Sequence, residues 1–443
     1  MQLRDIVSIR RGDPPELVFR VDERALGCDQ MVALLSQAHD EGVFSWLHAR
    51  LAERIRHVRH EEGEHAKALR DCRIHRWYGR MRQAVLEFLE RPLIGNLSRQ
   101  CVLTKGAAIL ARDPEVLRDM GDIDIAVFDI DSLAALVDGF VSHGWYPPDR
   151  PRPLAGVHDG VTHVVLDLVH GQWPPVELTC GCTRLCPESY PTILSYDYLA
   201  AATEVTVGSG RWLVPATEDM IVLMAVNACM NARVRLVDCL DYAILMRRET
   251  KPLDWAYLLD RCRRFGVLPY LFEIDFVYAG MSASPRQDFQ ARLTWLEKKG
   301  LALARHKPRS RLRGTLLLQL LAIARAERYQ GVSHVVARVL WYLISMLAGR
   351  FSRAWRNRLA RVISELLPQA LGLMREYECI LVPASSDAWQ FTSSRGSQVY
   401  GPAISSQHQR LAHRHRRPFR SILRIGPLML LTNAGHHQRS TND

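Results

Sequence analysis

Gly121-Asp122-Ile123-Asp124-Ile125-Ala126-Val127 is the stretch on which the fold of this chain turns. Two carboxylates one residue apart stand at the front of an apolar run of strand length, and the alternation of a strand puts both on one face. Like charges that close repel by a cost on the order of a few kcal/mol at low effective dielectric, so the pattern makes sense where a cation lies between them. A hard ion suits these oxygens: magnesium is the expected cofactor and manganese its substitute. A third carboxylate, Glu177, is flanked by Val176 and Leu178, so its side chain points to the polar side of a later strand. Carboxylates from two neighbouring strands can hold two metal ions, one on a triphosphate and one on an acceptor hydroxyl. Glu177 is then also the general base or its metal partner.

Working upstream, Cys101-Val102-Leu103 is a short apolar run that ends at Lys105-Gly106, and Ala107 to Ala111 reads as a helix. Free backbone N–H groups at that helix start favour phosphate. Gly106 permits close backbone approach, and Lys105 supplies a point charge for a β or γ phosphate. Arg118, four residues before Asp122, is a further candidate phosphate contact, against a bland reading in which it pairs with Asp113 or Glu115. Downstream, Ile123 to Phe128 forms a strand and Ser132 to His143 a helix. Two more strands follow at His163 to Leu168 and Pro175 to Thr179, with a turn at Gly171 to Pro174. The expected fold class is α+β, a small mixed sheet with helices.

Further out the helical period dominates. Met31, Leu34, Leu35 and Ala38, then Leu47, Leu51 and Ile55, mark a helical opening section, which Met81, Val85, Phe88 and Leu89 continue. Beyond Pro215 the same period returns through Met220, Leu223, Met224, Val237, Leu240, Ile244 and Leu245, and it lasts to about Tyr377. Residues 1–95 are therefore expected to be a helical section, 96–214 the α+β core, 215–382 a helical domain and 383–443 a flexible basic tail. Asp238 and Asp241 sit where the helical domain could approach the core, although Asp241 could instead pair with Arg247 or Arg248.

Of the 443 residues, 48% are hydrophobic and 24% charged, which favours a folded soluble protein over a disordered or membrane one. The apolar stretch from Val339 to Gly349 is bounded by Arg338 and Arg350 and is too short to span a bilayer. The net charge of +11 is concentrated late, at Arg410, Arg414, Arg416, Arg417, Arg420 and Arg424, without the aromatic interleaving that base stacking requires. Nucleic-acid binding by this tail is thus the weaker reading. The ten cysteines are scattered and the amino terminus lacks a signal-peptide core, so the expected compartment is the cytoplasm. Cys180, Cys182 and Cys186, with His170, do not follow a standard zinc spacing and read better as separate thiols.

Together, Leu103-Thr104-Lys105-Gly106, then Leu117-Arg118-Asp119-Met120-Gly121-Asp122-Ile123-Asp124, then Val176-Glu177-Leu178 resemble the uncharacterised bacterial nucleotidyltransferase family of the polymerase-beta superfamily. The likeness extends from about Met31 to Gly280 and includes His39-Asp40-Glu41-Gly42-Val43, Leu240-Asp241-Tyr242 and Leu253-Asp254-Trp255. It implies transfer of a nucleoside monophosphate from a nucleoside triphosphate to an acceptor: protein, peptide product or small molecule. Asp122, Asp124 and Glu177 would hold metal, and Lys105-Gly106 would stand where better-known members carry Gly-Ser. The rival reading is a catalytically silent member that binds a nucleotide or a partner on the same fold.

Overall fold

The computed structural model describes residues 2–10, 16–20, 26–58, 73–91, 101–148, 154–158, 161–183, 193–194, 201–230, 234–248, 252–265, 267–282, 291–299, 375–377, 379–383, 421–425 and 428–432. The opening section holds a short helix α1 (Leu3–Ile6), a hairpin of β1 (Val7–Arg10) and β2 (Glu16–Phe19), and helices α2 (Cys28–Asp40), α3 (Phe44–Val58) and α4 (Arg73–Glu90). The apolar residues picked out by the three-and-four spacing do form the inner faces: Met31, Leu34, Ala38, Leu47, Leu51, Val85, Phe88 and Leu89 are all buried. The hairpin is an addition to the helical section expected from the sequence. Its alternation is short, with Val7, Ile9 and Leu17 turned inward.

The core follows as β3 (Cys101–Leu103), α5 (Lys105–Arg112), β4 (Ile123–Val127), α6 (Ile130–Ser142), β5 (Leu154–His158), β6 (Val161–Leu168) and β7 (Val176–Cys180). The short pair β8 (Cys182–Thr183) and β9 (Ile193–Leu194) comes next, then the hairpin β10 (Thr203–Val207) and β11 (Gly210–Val214). With β12 (Arg375–Tyr377), a mixed eight-stranded sheet runs in the order β10-β11-β3-β4-β7-β6-β5-β12. β4 lies at the centre, antiparallel to β3 and parallel to β7. It is buried along its whole length, as an apolar run flanked on both sides must be. On α6 the buried residues are Leu133, Leu136, Val137 and Phe140, and the Asp129 side chain caps its start by accepting the Ser132 N–H at 2.6 Å.

Helix α4 is tied to the sheet at its carboxyl end, where backbone carbonyls need partners. The Trp212 indole donates to Leu89 O at 2.8 Å, and the Ser209 hydroxyl donates to Glu90 O at 2.6 Å. A Cβ at Gly210 would overlap Leu89 O, so only glycine lets the hairpin come this close. Phe88, Phe140, Trp145 and Trp212 close the space between helices and sheet, with ring centres 5.1 to 6.1 Å apart.

The helical domain comprises α7 (Thr217–Met230), α8 (Leu236–Arg248), α9 (Trp255–Arg264) and α10 (Leu268–Ser282). Three further strands, β13 (Cys379–Pro383), β14 (Ser421–Ile425) and β15 (Leu428–Thr432), form a separate antiparallel sheet in the order β13-β15-β14. β14 and β15 fall in the stretch where the sequence suggested a flexible tail, whereas β12 and most of β13 fall at the end of the expected helical domain, which thus carries strands there. Two runs, Ser421–Ile425 and Leu428–Thr432, lie on either side of Gly426-Pro427 and carry enough apolar residues to pair. The crowded arginines from Arg410 to Arg420, and the apolar stretch from Val339 to Gly349, lie outside the described residues. Among the described residues no helix is long and apolar enough to cross a membrane.

Candidate active site

The site begins where β3 ends. The Thr104 N–H donates to Asp124 O at 2.9 Å, so the chain stays tied to β4 as it turns into α5. The next residue, Lys105, has φ 49°, a left-handed backbone that L side chains rarely adopt. Such a conformation costs on the order of 1–3 kcal/mol and persists only where the surroundings impose it. It aims the side chain back over the strand ends. The Lys105 ammonium lies 2.5 Å from Asp124 Oδ1 and 3.0 Å from Glu177 Oε1, bridging the two carboxylates.

That bridge follows from strand register. Asp124 and Glu177 are direct partners on the parallel pair β4 and β7, and so project from the same face. Asp122 precedes β4 and reaches solvent, whereas Asp124 is only 6% exposed. Burial raises Asp124 to about 8; Lys105 opposes that shift, and Asp122 and Glu177 reinforce it. Asp122 is raised as well, by desolvation first, with Lys105 pulling the other way and Glu177 adding to the rise. For Lys105, burial alone would lower the pKa, but the two carboxylates reverse this and hold it above its usual value. One ammonium thus faces three carboxylates, and the cluster retains an excess of negative charge.

Hard oxygen donors with an unbalanced negative charge are the chemistry a magnesium or manganese ion requires, and a cation, the Lys105 ammonium, already stands between two of them. Among the described residues no three His, Cys, Asp or Glu side chains are gathered closely enough to hold an ion as they stand. The fit is therefore one of donor type, charge and strand position.

Arg118 takes a different place from the surface pairing considered above. Its Nε donates to Asp241 Oδ1 at 2.9 Å and its Nη2 to Asp241 Oδ2 at 3.0 Å, a two-pronged bond to α8. Its Nη1 donates to Asp119 O at 3.2 Å. Asp241 thus pairs with Arg118, and the helical domain meets the core here. Between them lies a cleft lined by Lys105, Ile109, Arg118, Met224, Asn227 and Asp238, among others. Asp238 is raised by burial against the pull of Arg235, whose backbone N–H it accepts at 2.7 Å.

Two residues that the sequence reading passed over belong to this picture. Asp167 on β6 is the register partner of Glu177, so Asp124, Glu177 and Asp167 stand in a row across three strands. The signal was present in Val164-Val165-Leu166-Asp167-Leu168, where one carboxylate interrupts an apolar run in the same phase as Glu177. Asp119, next to Arg118, accepts the Phe44 and Ser45 N–H groups at 2.5 and 2.9 Å and so caps α3. No short-range pattern marks it, because its partners lie far upstream. The cysteine expectation is resolved in part: Cys180 is a free buried thiol pushed up to about 12 by burial, the state of an inert core residue. The His170 Nδ1 accepts the Gln172 and Trp173 N–H groups, organising its own turn. Cys186 lies outside the described residues.

The chain belongs to the family described as "Uncharacterised nucleotidyltransferase", whose sequence model matches residues 30–276, more than half of its length. No curated protein matches it. Among solved structures, the crystal structure of JHP933 from Helicobacter pylori is similar at 16% identity over 58% of this chain and 98% of that one. Its TM-score of 0.27 is too low for that likeness to bear on fold or function.

Proposed function

We propose that the protein transfers a nucleoside monophosphate from a nucleoside triphosphate to an acceptor hydroxyl, with magnesium or manganese as cofactor. The observation that carries this reading is the Lys105 ammonium held between Asp124 and Glu177 at the head of paired strands. A strained lysine at a helix start beside convergent carboxylates has little structural use, since an apolar replacement would fold at less cost. Asp122, Asp124 and Glu177 would hold the metal, which supplies charge neutralisation at the phosphates and lowers the pKa of the acceptor hydroxyl.

The chain's own groups do the rest. Lys105, Gly106 and Arg118 lie on the nucleotide side, with the start of α5 facing the triphosphate. The acceptor oxygen bonds to the α phosphorus as the bond from that phosphorus to the leaving pyrophosphate breaks. Glu177, as general base, would receive the hydroxyl proton on its carboxylate. Helices α7 and α8 wall the cleft and would exclude water from the reacting phosphate. A protein working on nucleotides in the cytoplasm is consistent with this chemistry.

The experiment is incubation with each radiolabelled triphosphate, magnesium and a cell extract, comparing the wild type with Asp124→Asn. Transfer is expected in the wild type and to fall at least about a hundredfold in the variant. Equal labelling by both would remove the carboxylates from the mechanism. Nucleotide binding without pyrophosphate release would make the protein a silent member of the fold.

A further inference from the structure

Gly106 is next to the strained Lys105, and its role in the fold is visible in what lies over it. A Cβ at this position would overlap Arg118 Nη1 and come within 2.9 Å of Met120 Sδ. The Arg118 guanidinium therefore lies directly on the turn. It is held there from two directions. Asp241 grips Nε and Nη2 from α8, while the Asp119 carbonyl and Met120 Sδ engage Nη1 from its own loop. Arg118 and Asp241 are 11% and 8% exposed, so neither charge can leave without stranding the other in a poorly solvated place.

All three guanidinium nitrogens of Arg118 thus have protein partners, which leaves a single Nη2 N–H for any further acceptor. Its position does something else. A lysine at φ 49° relaxes toward an ordinary backbone unless a neighbour blocks the movement, and the group packed on the adjacent residue is Arg118. We infer that Arg118 and Asp241 are positioning residues: the helical domain, through Asp241, clamps Arg118 onto Gly106 and so fixes the turn that presents Lys105 to the nucleotide. This deepens the proposed function and rests on it. The helical domain then takes part in nucleotide binding through the turn, in addition to walling the cleft.

The test is calorimetric titration of the full chain with magnesium and each nucleoside triphosphate. Asp241→Asn keeps the shape of the side chain and removes its charge. Gly106→Ala removes no charge and displaces Arg118 by one methyl group. Both are expected to weaken nucleotide binding about tenfold or more. Leu136→Ala, a core truncation on α6 away from the turn, is the control, chosen to lower the melting temperature without changing nucleotide affinity. Wild-type affinity in both Asp241→Asn and Gly106→Ala overturns the clamp, as does an equal loss in Leu136→Ala. Should Asp241→Asn fail to fold, Gly106→Ala alone decides. Wild-type binding that is insensitive to Asp124→Asn counts against the proposed chemistry, and a loss confined to the two clamp variants would still support the clamp. No binding by the wild type overturns both.

Discussion

Lys105 combines a costly backbone with a costly side-chain burial, and the carboxylates explain the second. Asp124 offers the clearest test of that balance. Its carboxyl is raised from 3.8 to about 8, so the folded chain holds this proton more tightly than the unfolded one. Such a group stabilises the fold at low pH, and the contribution is lost as pH rises through the folded value. The melting temperature of the metal-free protein is therefore expected to carry a downward component as pH climbs toward about 8, which Asp124→Asn removes. Magnesium, if held as proposed, would bind the ionised form, so adding it should raise the melting temperature most at the alkaline end. A profile unchanged by either would show that Asp124 is not the titrating group. At Lys105 itself, replacement by Gly should relieve the backbone strain yet abolish the bridge. Stability measured in denaturant is expected to change by no more than about 1–2 kcal/mol, while nucleotide affinity is lost.

At the scale of elements, the site depends on how one loop is pinned. The stretch between α5 and β4 carries Arg118, which is bound to α8, and Asp119, which caps α3. Asp119→Ala leaves two N–H groups at the start of α3 without this acceptor and should cost about 1–2 kcal/mol in urea unfolding. Because the same loop positions Arg118, nucleotide affinity should drop with it. A normal affinity in the destabilised variant would show that the cap and the turn are independent. The sequence made much of this legible. The apolar run at Ile123–Val127, the helix after Lys105 and the strand bearing Glu177 are local patterns, and each forms where its period put it. The hairpin of β10 and β11 was equally local, with Val205, Val207, Trp212 and Val214 alternating about Gly208-Ser209, but was passed over between stronger signals. Arg118 with Asp241 and Asp119 with Phe44 were not legible. Each joins residues that are distant in sequence, and a charged side chain carries no mark of its partner.

The molecule as a whole is stitched across its sections by charged groups. Glu41, at the end of α2, accepts from Arg4 at 2.9 Å and from the Leu236 N–H at 2.8 Å, and Arg4 also donates to Val234 O. The opening section is thus fastened to the start of α8, the helix whose Asp241 reaches the site. Glu41→Ala is expected to destabilise the fold by about 1–3 kcal/mol, because it removes the acceptor of the Leu236 N–H and the charge partner of a half-buried Arg4. Limited proteolysis should then cut between α1 and α2 sooner than in the wild type, and an unchanged cleavage rate would show that apolar packing alone holds the section in place.

The sheet runs beyond the part of the chain that the family model covers. β12, at residues 375–377, lies along the outer side of β5 in antiparallel register, more than two hundred positions after its neighbour in the chain. A polypeptide ending near residue 300 would leave the peptide groups of β5 facing water with no strand beside them. Such a rim invites a second copy to dock there. Shortened versions made for crystallisation or expression should therefore pair or precipitate, while the longer chain brings its own cover for that border.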